Sequence, residues 1–141
     1  MKVLFDTNII LDLLLDRQPF SAEAIQLVQN VEIGLIVGYL SATTITTLQY
    51  LACKVIGKEK AKVEIKKLLT LFEIAPVNRI VLEKAIQGEF HDFEDAVLYE
   101  AGHHQGIQAI VTRNIKDFVK AKISIYTPKQ LLPLIATLPV G

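Results

Sequence analysis

Short apolar runs alternate with amphipathic segments along the chain. Residues 3–5 and 35–40 are apolar almost without interruption, which is typical of strands whose two faces are both covered. Between such runs, apolar residues recur at the three- and four-residue spacing of helices that bury one face. The predicted strands are 3–5, 35–40, 72–77, 107–111 and 123–126. The predicted helices are one that Asn8 caps and that ends before Pro19, then 21–31, 41–56, 58–71, 79–87, 92–105 and 128–135, with a turn or short helix at 114–118.

This alternation predicts a three-layer α/β/α domain, in which helices cover both faces of a parallel sheet. The 141 residues fit one domain, and neither an internal repeat nor a low-complexity linker divides them. We therefore expect residues 1–141 to form a single domain.

Composition and charge narrow the partners that such a domain could have. A hydrophobic content of 51% excludes a chain that is mainly disordered. Fifteen basic and fifteen acidic residues cancel, so the surface as a whole attracts neither nucleic acid nor a membrane. A polyanionic partner would therefore have to be held by a local site, through metal ions.

Three features favour a cytoplasmic protein with no membrane partner. No apolar stretch reaches the ~20 residues of a membrane-spanning helix, and Asp6 interrupts any apolar signal region at the start of the chain. Cys53 is the only cysteine, which excludes an internal disulfide and favours a reducing compartment. The apolar neighbours of Cys53 predict that it is a small buried residue.

Polar residues cluster where two predicted strands end and where one predicted helix begins. Asp6-Thr7-Asn8 follows the first strand, and Thr112-Arg113-Asn114 follows the strand 107–111, with Asp117 close behind. A third cluster, residues 91–95, opens the helix that leads into that strand. Ligands of open parallel sheets bind beyond the carboxyl ends of the strands, where the strand order reverses. These clusters are therefore the candidate functional residues.

Each cluster has a structural and a functional explanation. Asp6 could be a helix cap, Asp92 could cap the following helix with Asp95 in its first turn, and Thr112 could shape a turn. Carboxylates that converge without lysine partners repel one another, unless they are protonated or a Mg²⁺ or Mn²⁺ ion lies between them. Such ions neutralise phosphate oxygens and activate water for attack on a phosphodiester. The functional explanation is therefore a metal site for phosphodiester chemistry.

The same three stretches carry a resemblance to a known family. Asp6-Thr7-Asn8, the Asp-Phe-Glu-Asp-Ala stretch at 92–96 and the Thr-Arg-Asn-Ile-Lys-Asp-Phe stretch at 112–118 resemble the PIN domain, and the likeness extends over nearly the whole chain. The resemblance implies a five-stranded parallel sheet of order 3-2-1-4-5. It also implies a ribonuclease that depends on Mg²⁺ or Mn²⁺, forms homodimers and serves as the toxin of a toxin–antitoxin pair, with RNA as substrate and an antitoxin as partner.

The resemblance also assigns roles to individual residues. Asp6 and Asp95 correspond to metal-binding acids, Asp92 supplements them, and Asn114 occupies the place of a fourth acid in the catalytic set. The predicted supporting residues, which orient water or backbone around the site, are Thr7, Asn8, Thr112 and Asp117. Among basic residues, we predict that Arg113 contacts RNA phosphate, because it lies within the motif.

One departure from the family pattern leaves a second hypothesis open. Most active PIN nucleases carry a Glu on the helix after the second strand, but here the region has Thr46, Thr47, Gln49 and Tyr50 and no carboxylate. The alternative is therefore a catalytically weakened PIN-like domain that binds RNA or a protein. A third hypothesis, a phosphohydrolase of the haloacid dehalogenase type built on Asp6, ranks last because that chemistry needs a second Asp where Asn8 stands.

Overall fold

A computed structural model describes residues 1–139 of the chain. The first half contains β1 (Lys2–Phe5), α1 (Thr7–Leu14), α2 (Ser21–Glu32), β2 (Val37–Ser41), α3 (Ala42–Ile56), α4 (Lys58–Leu71) and β3 (Glu73–Ala75). The second half contains α5 (Arg79–Gln87), α6 (Phe93–His103), β4 (Ala109–Val111), a 3-10 turn (Ile115–Phe118), β5 (Ser124–Tyr126) and α7 (Pro128–Ala136).

The five strands form one parallel sheet of order β3-β2-β1-β4-β5. This confirms the α/β class that the sequence pattern predicts and the strand order that the resemblance implies. β1 lies at the centre, with Leu4 aligned with Tyr39 of β2 on one side and with Ile110 of β4 on the other. The strand order reverses between β1 and β4, so their carboxyl ends meet at one edge of the sheet.

Four of the strands begin later than the apolar pattern predicts, β3 and β5 by one residue and β2 and β4 by two. β2 begins at Val37 rather than at residue 35, and β4 begins at Ala109 rather than at residue 107. The amide of Leu35 donates instead to the carbonyl of Asn30, and that of Ile107 donates to Gly102. An apolar run reports burial, and these residues are covered by the protein without pairing with a neighbouring strand.

Successive side chains of β1 point to opposite faces of the sheet, and each face has its own apolar cluster. Phe5 is buried against α1, α2 and α7, whereas Leu4 packs with Ile110 beneath α6. α6 lies close to the sheet because Gly102 has no side chain: a Cβ there would lie 2.5 Å from Cδ1 of Ile107. The C-terminal end of α6 thereby packs closely against Leu4 of β1, since the same Cβ would lie 3.2 Å from Cδ2 of Leu4.

Cys53 differs from its prediction, because it is only half-buried. The buried residue at this point of α3 is its neighbour Ala52, which has no exposed surface. The Cys53 thiol lies nearer the helix surface and accepts a hydrogen bond from Nε2 of Gln49 at 3.2 Å.

Within residues 1–139, none of the helices combines the length and the apolar character that crossing a bilayer requires.

Candidate active site

The candidate site lies at the carboxyl edge of the sheet, where β1 and β4 end side by side. Asp6 follows β1 directly, and its amide donates to the carbonyl of Val111 at 3.0 Å, which extends the pairing of the two strands by one step. The chain then turns into α1, for which Asp6 is the N-cap residue, although its side chain accepts no cap hydrogen bond. The predicted cap, Asn8, lies instead in the first turn of α1 and is exposed. The Asp6 carboxylate is therefore not used in closing the helix.

Asp6 is a buried acid held by a hydroxyl. Its side chain is 7% exposed, and Oδ2 accepts a hydrogen bond of 2.8 Å from Oγ1 of Thr112, which is completely buried. Burial raises the pKa of Asp6, and the hydrogen bonds from Thr112 and from the backbone of Thr7 offset this in part. A carboxylate so oriented and so short of solvation is suited to meeting a cation.

The second acid, Asp95, lies in the first turn of α6 and is electrostatically coupled to the first. Its pKa is raised to about 7, chiefly by burial and then by the charges of Asp6, Asp92 and Asp117, with Glu94 next. Asp6 follows β1 and Asp95 lies in the first turn of the helix that leads into the adjacent β4, so both acids lie at the carboxyl edge of the sheet, and the charge of Asp6 is felt at Asp95. The two residues that the sequence predicts as the principal acids thus lie at the same edge of the sheet, and their binding of a metal stays a prediction.

Asp92 has a structural task at the same edge. It is the N-cap residue of α6, and its Oδ1 accepts a hydrogen bond of 3.1 Å from the amide of Asp95. This is the capping arrangement that the sequence also allows, and it fixes the backbone that carries the Asp95 carboxylate. A metal contact from Asp92 stays a prediction, since the side chain is exposed and one of its oxygens is engaged.

The loop after β4 is organised around Thr112. Besides donating to Asp6, its Oγ1 accepts a hydrogen bond of 3.1 Å from the amide of Asn114. The carbonyl of Asn114 in turn accepts from the amide of Asp117 at 3.1 Å, at the start of the 3-10 turn. The side chains of Asn114 and Asp117 are exposed, and the charge of Asp117 reaches both Asp6 and Asp95. Thr112 therefore joins β1 to this loop.

The helix after β2 reaches the site through a residue that the sequence does not single out. Oγ1 of Thr7 and Oγ1 of Thr44 lie 2.8 Å apart, and Thr44 is buried on α3. By contrast, the amide of Gln49 is engaged with Cys53, and Tyr50 is 61% exposed. The neutral hydroxyl of Thr44 thus makes the contact with α1, and only the folded structure reveals it, because threonine is an ordinary residue in such a stretch.

Arg113 lies elsewhere than its predicted role requires. Its Nε is 2.8 Å from Oδ2 of Asp12, its Nη2 donates to Oδ1 of Asp12 at 3.3 Å, and its guanidinium lies 4.0 Å from the ring centroid of Phe20. The charge of Arg113 is therefore already balanced by a buried carboxylate. Contact with RNA phosphate stays a prediction, and Asp12 is a residue that the sequence analysis missed, although an Asp within the apolar run 9–15 is a signal in itself.

The carboxylates of Asp6 and Asp95 are the candidate ligands for a divalent ion at this edge. Among residues 1–139, no group of three or more His, Cys, Asp or Glu side chains is already arranged to hold a metal ion. Mg²⁺ usually keeps several waters and binds one or two protein carboxylates together with substrate phosphates, rather than a cage made only of protein. The hard oxygens of Asp6 and Asp95 fit that mode, since within residues 1–139 neither acid forms an ion pair and only the more distant charge of Arg113 reaches Asp6. They do not fit a closed two-metal cage.

Comparison with known proteins gives a consistent result. A family model described as PIN domain matches residues 2–116. Ribonuclease VapC1 of Aquifex aeolicus is 31% identical over an alignment of 137 residues that covers 92% of this chain and 92% of that protein. A chain from a toxin–antitoxin complex of Klebsiella pneumoniae superposes with a TM-score of 0.67 at 25% identity, covering 89% of this chain and 97% of that one. VapC20 of Mycobacterium tuberculosis, described as a toxin that cleaves the sarcin–ricin loop, superposes with a TM-score of 0.67 at 19% identity, covering 86% and 95%.

The family match spans most of the chain, including the first strand with Asp6, the first turn of α6 with Asp95 and the loop at Thr112. The central position of β1, the strand order and the acidic edge agree with it. On these grounds the chain belongs to the PIN domain family.

Proposed function

We propose that the chain is a metal-dependent endoribonuclease and the toxin of a toxin–antitoxin pair. The observation that carries the proposal is the buried Asp6 carboxylate, which Thr112 orients at the end of β1, with a second acid, Asp95, whose pKa is raised to about 7 by burial and then by the charge of Asp6. A site that concentrates negative charge in this way is complete only with a cation, and the cation is also what a phosphodiester needs. The identity with a relative named ribonuclease supports the same reaction.

The residues of the chain supply orientation and charge. Asp6 and Asp95 would hold a Mg²⁺ or Mn²⁺ ion, which when bound neutralises phosphate charge and lowers the pKa of a coordinated water. Thr112 donates to Oδ2 of Asp6 and so fixes the plane of that carboxylate. Asp92 holds the backbone of Asp95 in place, and Asp95 must release the proton that its raised pKa retains before it binds a cation.

The supporting residues act around this pair. Thr7, in contact with Thr44, anchors the first turn of α1 against α3. Asn8 and Asn114 are exposed at the same edge and are available to water or to substrate, and Asp117 adds negative charge to it. We assign these residues to the surroundings of the ion rather than to the ion itself.

The partners follow from this activity. RNA is the substrate, and the site of action is then the cytoplasm. An antitoxin is the protein partner, since a structural relative was solved as a toxin–antitoxin complex. A homodimer agrees with the exposure of large apolar side chains on one helix, α5, where Ile80, Leu82 and Ile86 are 57%, 42% and 70% exposed.

The test is cleavage of a cellular RNA preparation in the presence of Mg²⁺ or Mn²⁺. We expect Asp6→Asn and Asp95→Asn each to lower the rate by about a hundredfold or more, because each removes a charge that acts through the ion. Asp16→Asn is the matched control, since it makes the same change in an exposed residue beyond the other end of α1. Undiminished cleavage by Asp95→Asn, or full cleavage after chelation of the metal, would refute the proposal.

A second candidate is a PIN domain that binds RNA or protein without cleaving it. The observation in its favour is the helix α3, which carries no carboxylate and presents the neutral hydroxyl of Thr44 to Thr7 of α1. Calorimetry with Mn²⁺ separates the candidates, because absence of heat at millimolar metal would leave the binding module alone. The phosphohydrolase hypothesis is not retained, since the family is now established and Asn8 stands where a second Asp is needed.

A further inference from the structure

Asp12 and Arg113 form an ion pair between α1 and the loop after β4. The side chain of Asp12 is 1% exposed, and the guanidinium of Arg113 reaches both of its oxygens, with Nε at 2.8 Å and Nη2 at 3.3 Å. The ring of Phe20 covers the guanidinium at 4.0 Å. Arg17 approaches the same carboxylate at 3.8 Å from the chain just beyond α1. The pair joins residues that are 101 positions apart in the sequence.

The position of the pair connects it to the acidic edge. Arg113 directly follows Thr112, whose hydroxyl donates to Asp6, and Asp12 lies six positions after Asp6 on the helix that begins there. The loop and α1 are therefore tied at two points, about 9 Å apart along the helix axis at the usual rise per residue. One hydrogen bond acts as a pivot, whereas two separated ties fix the orientation of the loop relative to the helix.

A need for stability alone does not explain a charged pair at this place. Removing two charges from water is costly, and apolar residues of similar volume often stabilise a protein as well or better. Burial raises the pKa of Asp12 even with two guanidinium groups beside it, which shows that the desolvation is felt. What the arginine adds is a fixed geometry: its planar guanidinium donates to Oδ1 through Nη2, has Nε 2.8 Å from Oδ2 as an ion-pair contact, and lies over the ring of Phe20.

We propose that Asp12 and Arg113 are positioning residues: they hold the loop so that the Thr112 hydroxyl keeps the Asp6 carboxylate in its working orientation. As a statement about catalysis, this rests on the proposed ribonuclease function. As a statement about geometry, it concerns only the position of the Thr112 hydroxyl, which can be measured in the protein without substrate.

The geometry is tested by amide hydrogen exchange at Asn114, whose amide donates to Oγ1 of Thr112. In Arg113→Met we expect exchange at Asn114 to accelerate about tenfold or more, since opening that bond no longer requires breaking the ion pair. The amide of Thr112, which donates to the carbonyl of Tyr126, reports on the sheet and should stay protected. Arg17→Gln is the matched control: it removes a cation from Asp12 without touching the loop and should leave both amides unchanged.

The catalytic consequence is tested with a second variant that restores the fold. Asp12→Leu combined with Arg113→Met replaces the pair by apolar side chains and should recover the stability that Arg113→Met loses. We expect the double variant still to show kcat about tenfold to a hundredfold below wild type, with KM within about twofold, because the machinery is present but misaligned. Arg113→Lys keeps the positive charge but loses the planar guanidinium, so its kcat should lie between that of Arg113→Met and that of the wild-type protein.

Recovery of both kcat and Asn114 protection in the double variant would overturn the proposal, because the pair would then serve stability only. Unchanged exchange at Asn114 in Arg113→Met would overturn it as well. If the wild-type protein cleaves no RNA with any divalent metal, the proposed function fails, and the exchange measurement alone then decides whether the pair positions Thr112.

Discussion

Replacing Asp95 by Asn should stabilise the metal-free protein at high pH. The pKa of Asp95 rises from 3.8 to about 7 on folding, so between these values the folded protein binds a proton that the unfolded chain has lost. The free energy of unfolding therefore falls as the pH rises through this window, and the loss is complete above about pH 7. The variant has no carboxyl group to desolvate or repel, and it avoids this loss.

The expected gain in the free energy of unfolding follows from the change in the pKa of Asp95 and from the exposure of its side chain. The full difference between 3.8 and about 7 corresponds to about 4 kcal/mol at 1.36 kcal/mol per pKa unit. Asp95 is only half-buried, and solvent screens the interactions of such a group. We therefore expect Asp95→Asn to exceed wild type by about 1–2 kcal/mol at about pH 8 and to match it at about pH 4.

Urea denaturation at the two pH values measures this difference, without metal and with millimolar Mg²⁺. If the ion binds only the folded protein, as proposed, it should raise the stability of the wild-type protein at high pH and raise that of the variant less. Asp16→Asn, the exposed control, should stay within about 0.5 kcal/mol of wild type throughout. A variant no more stable than wild type at high pH, or a difference that grows toward low pH, would refute the account of the acidic edge.

Two further predictions concern single contacts. Thr112→Val removes the hydrogen bond that lowers the pKa of Asp6. The pH at which calorimetry finds half-maximal Mn²⁺ binding should therefore move upward. An unchanged midpoint would show that this bond does not control the protonation of Asp6. Gly102→Ala places a Cβ 2.5 Å from Ile107 and should lower the free energy of unfolding by about 1–3 kcal/mol in urea, and a neutral result would contradict the close approach of α6.

The fold could be predicted well because the local signals are strong. The predicted helices 58–71 and 79–87 agree with α4 and α5, since Gly57 with φ of 87° and the Asn78 cap mark where these helices begin. The ends of the strands are harder to predict. An apolar run indicates which side chains are buried, whereas the ends of a strand are set by its hydrogen bonds to the neighbouring strand. Nothing in the residues before Val37 and Ala109 tells where that partner starts.

The candidate site divides in the same way. The meeting of Asp6 with Thr112 follows from topology, because parallel strands that lie side by side end at one edge. The tie between Asp12 and Arg113 could not be predicted, since a side chain's partner 101 positions away leaves no trace in spacing or periodicity. The sequence presents Arg113 as a free cation within a motif, and only the fold shows that a buried carboxylate already faces it.

The central place of β1 has a consequence for how the protein is made. β1 (Lys2–Phe5) forms the middle of the sheet, and residues 6–108 must be synthesised after it before its neighbour β4 appears. At about 5–20 residues per second, the N-terminal strand waits several seconds or longer for that neighbour. A nascent chain that has not reached Thr112 thus carries Asp6 without its hydroxyl partner, so the candidate site forms only once β4 and the loop after it have been made.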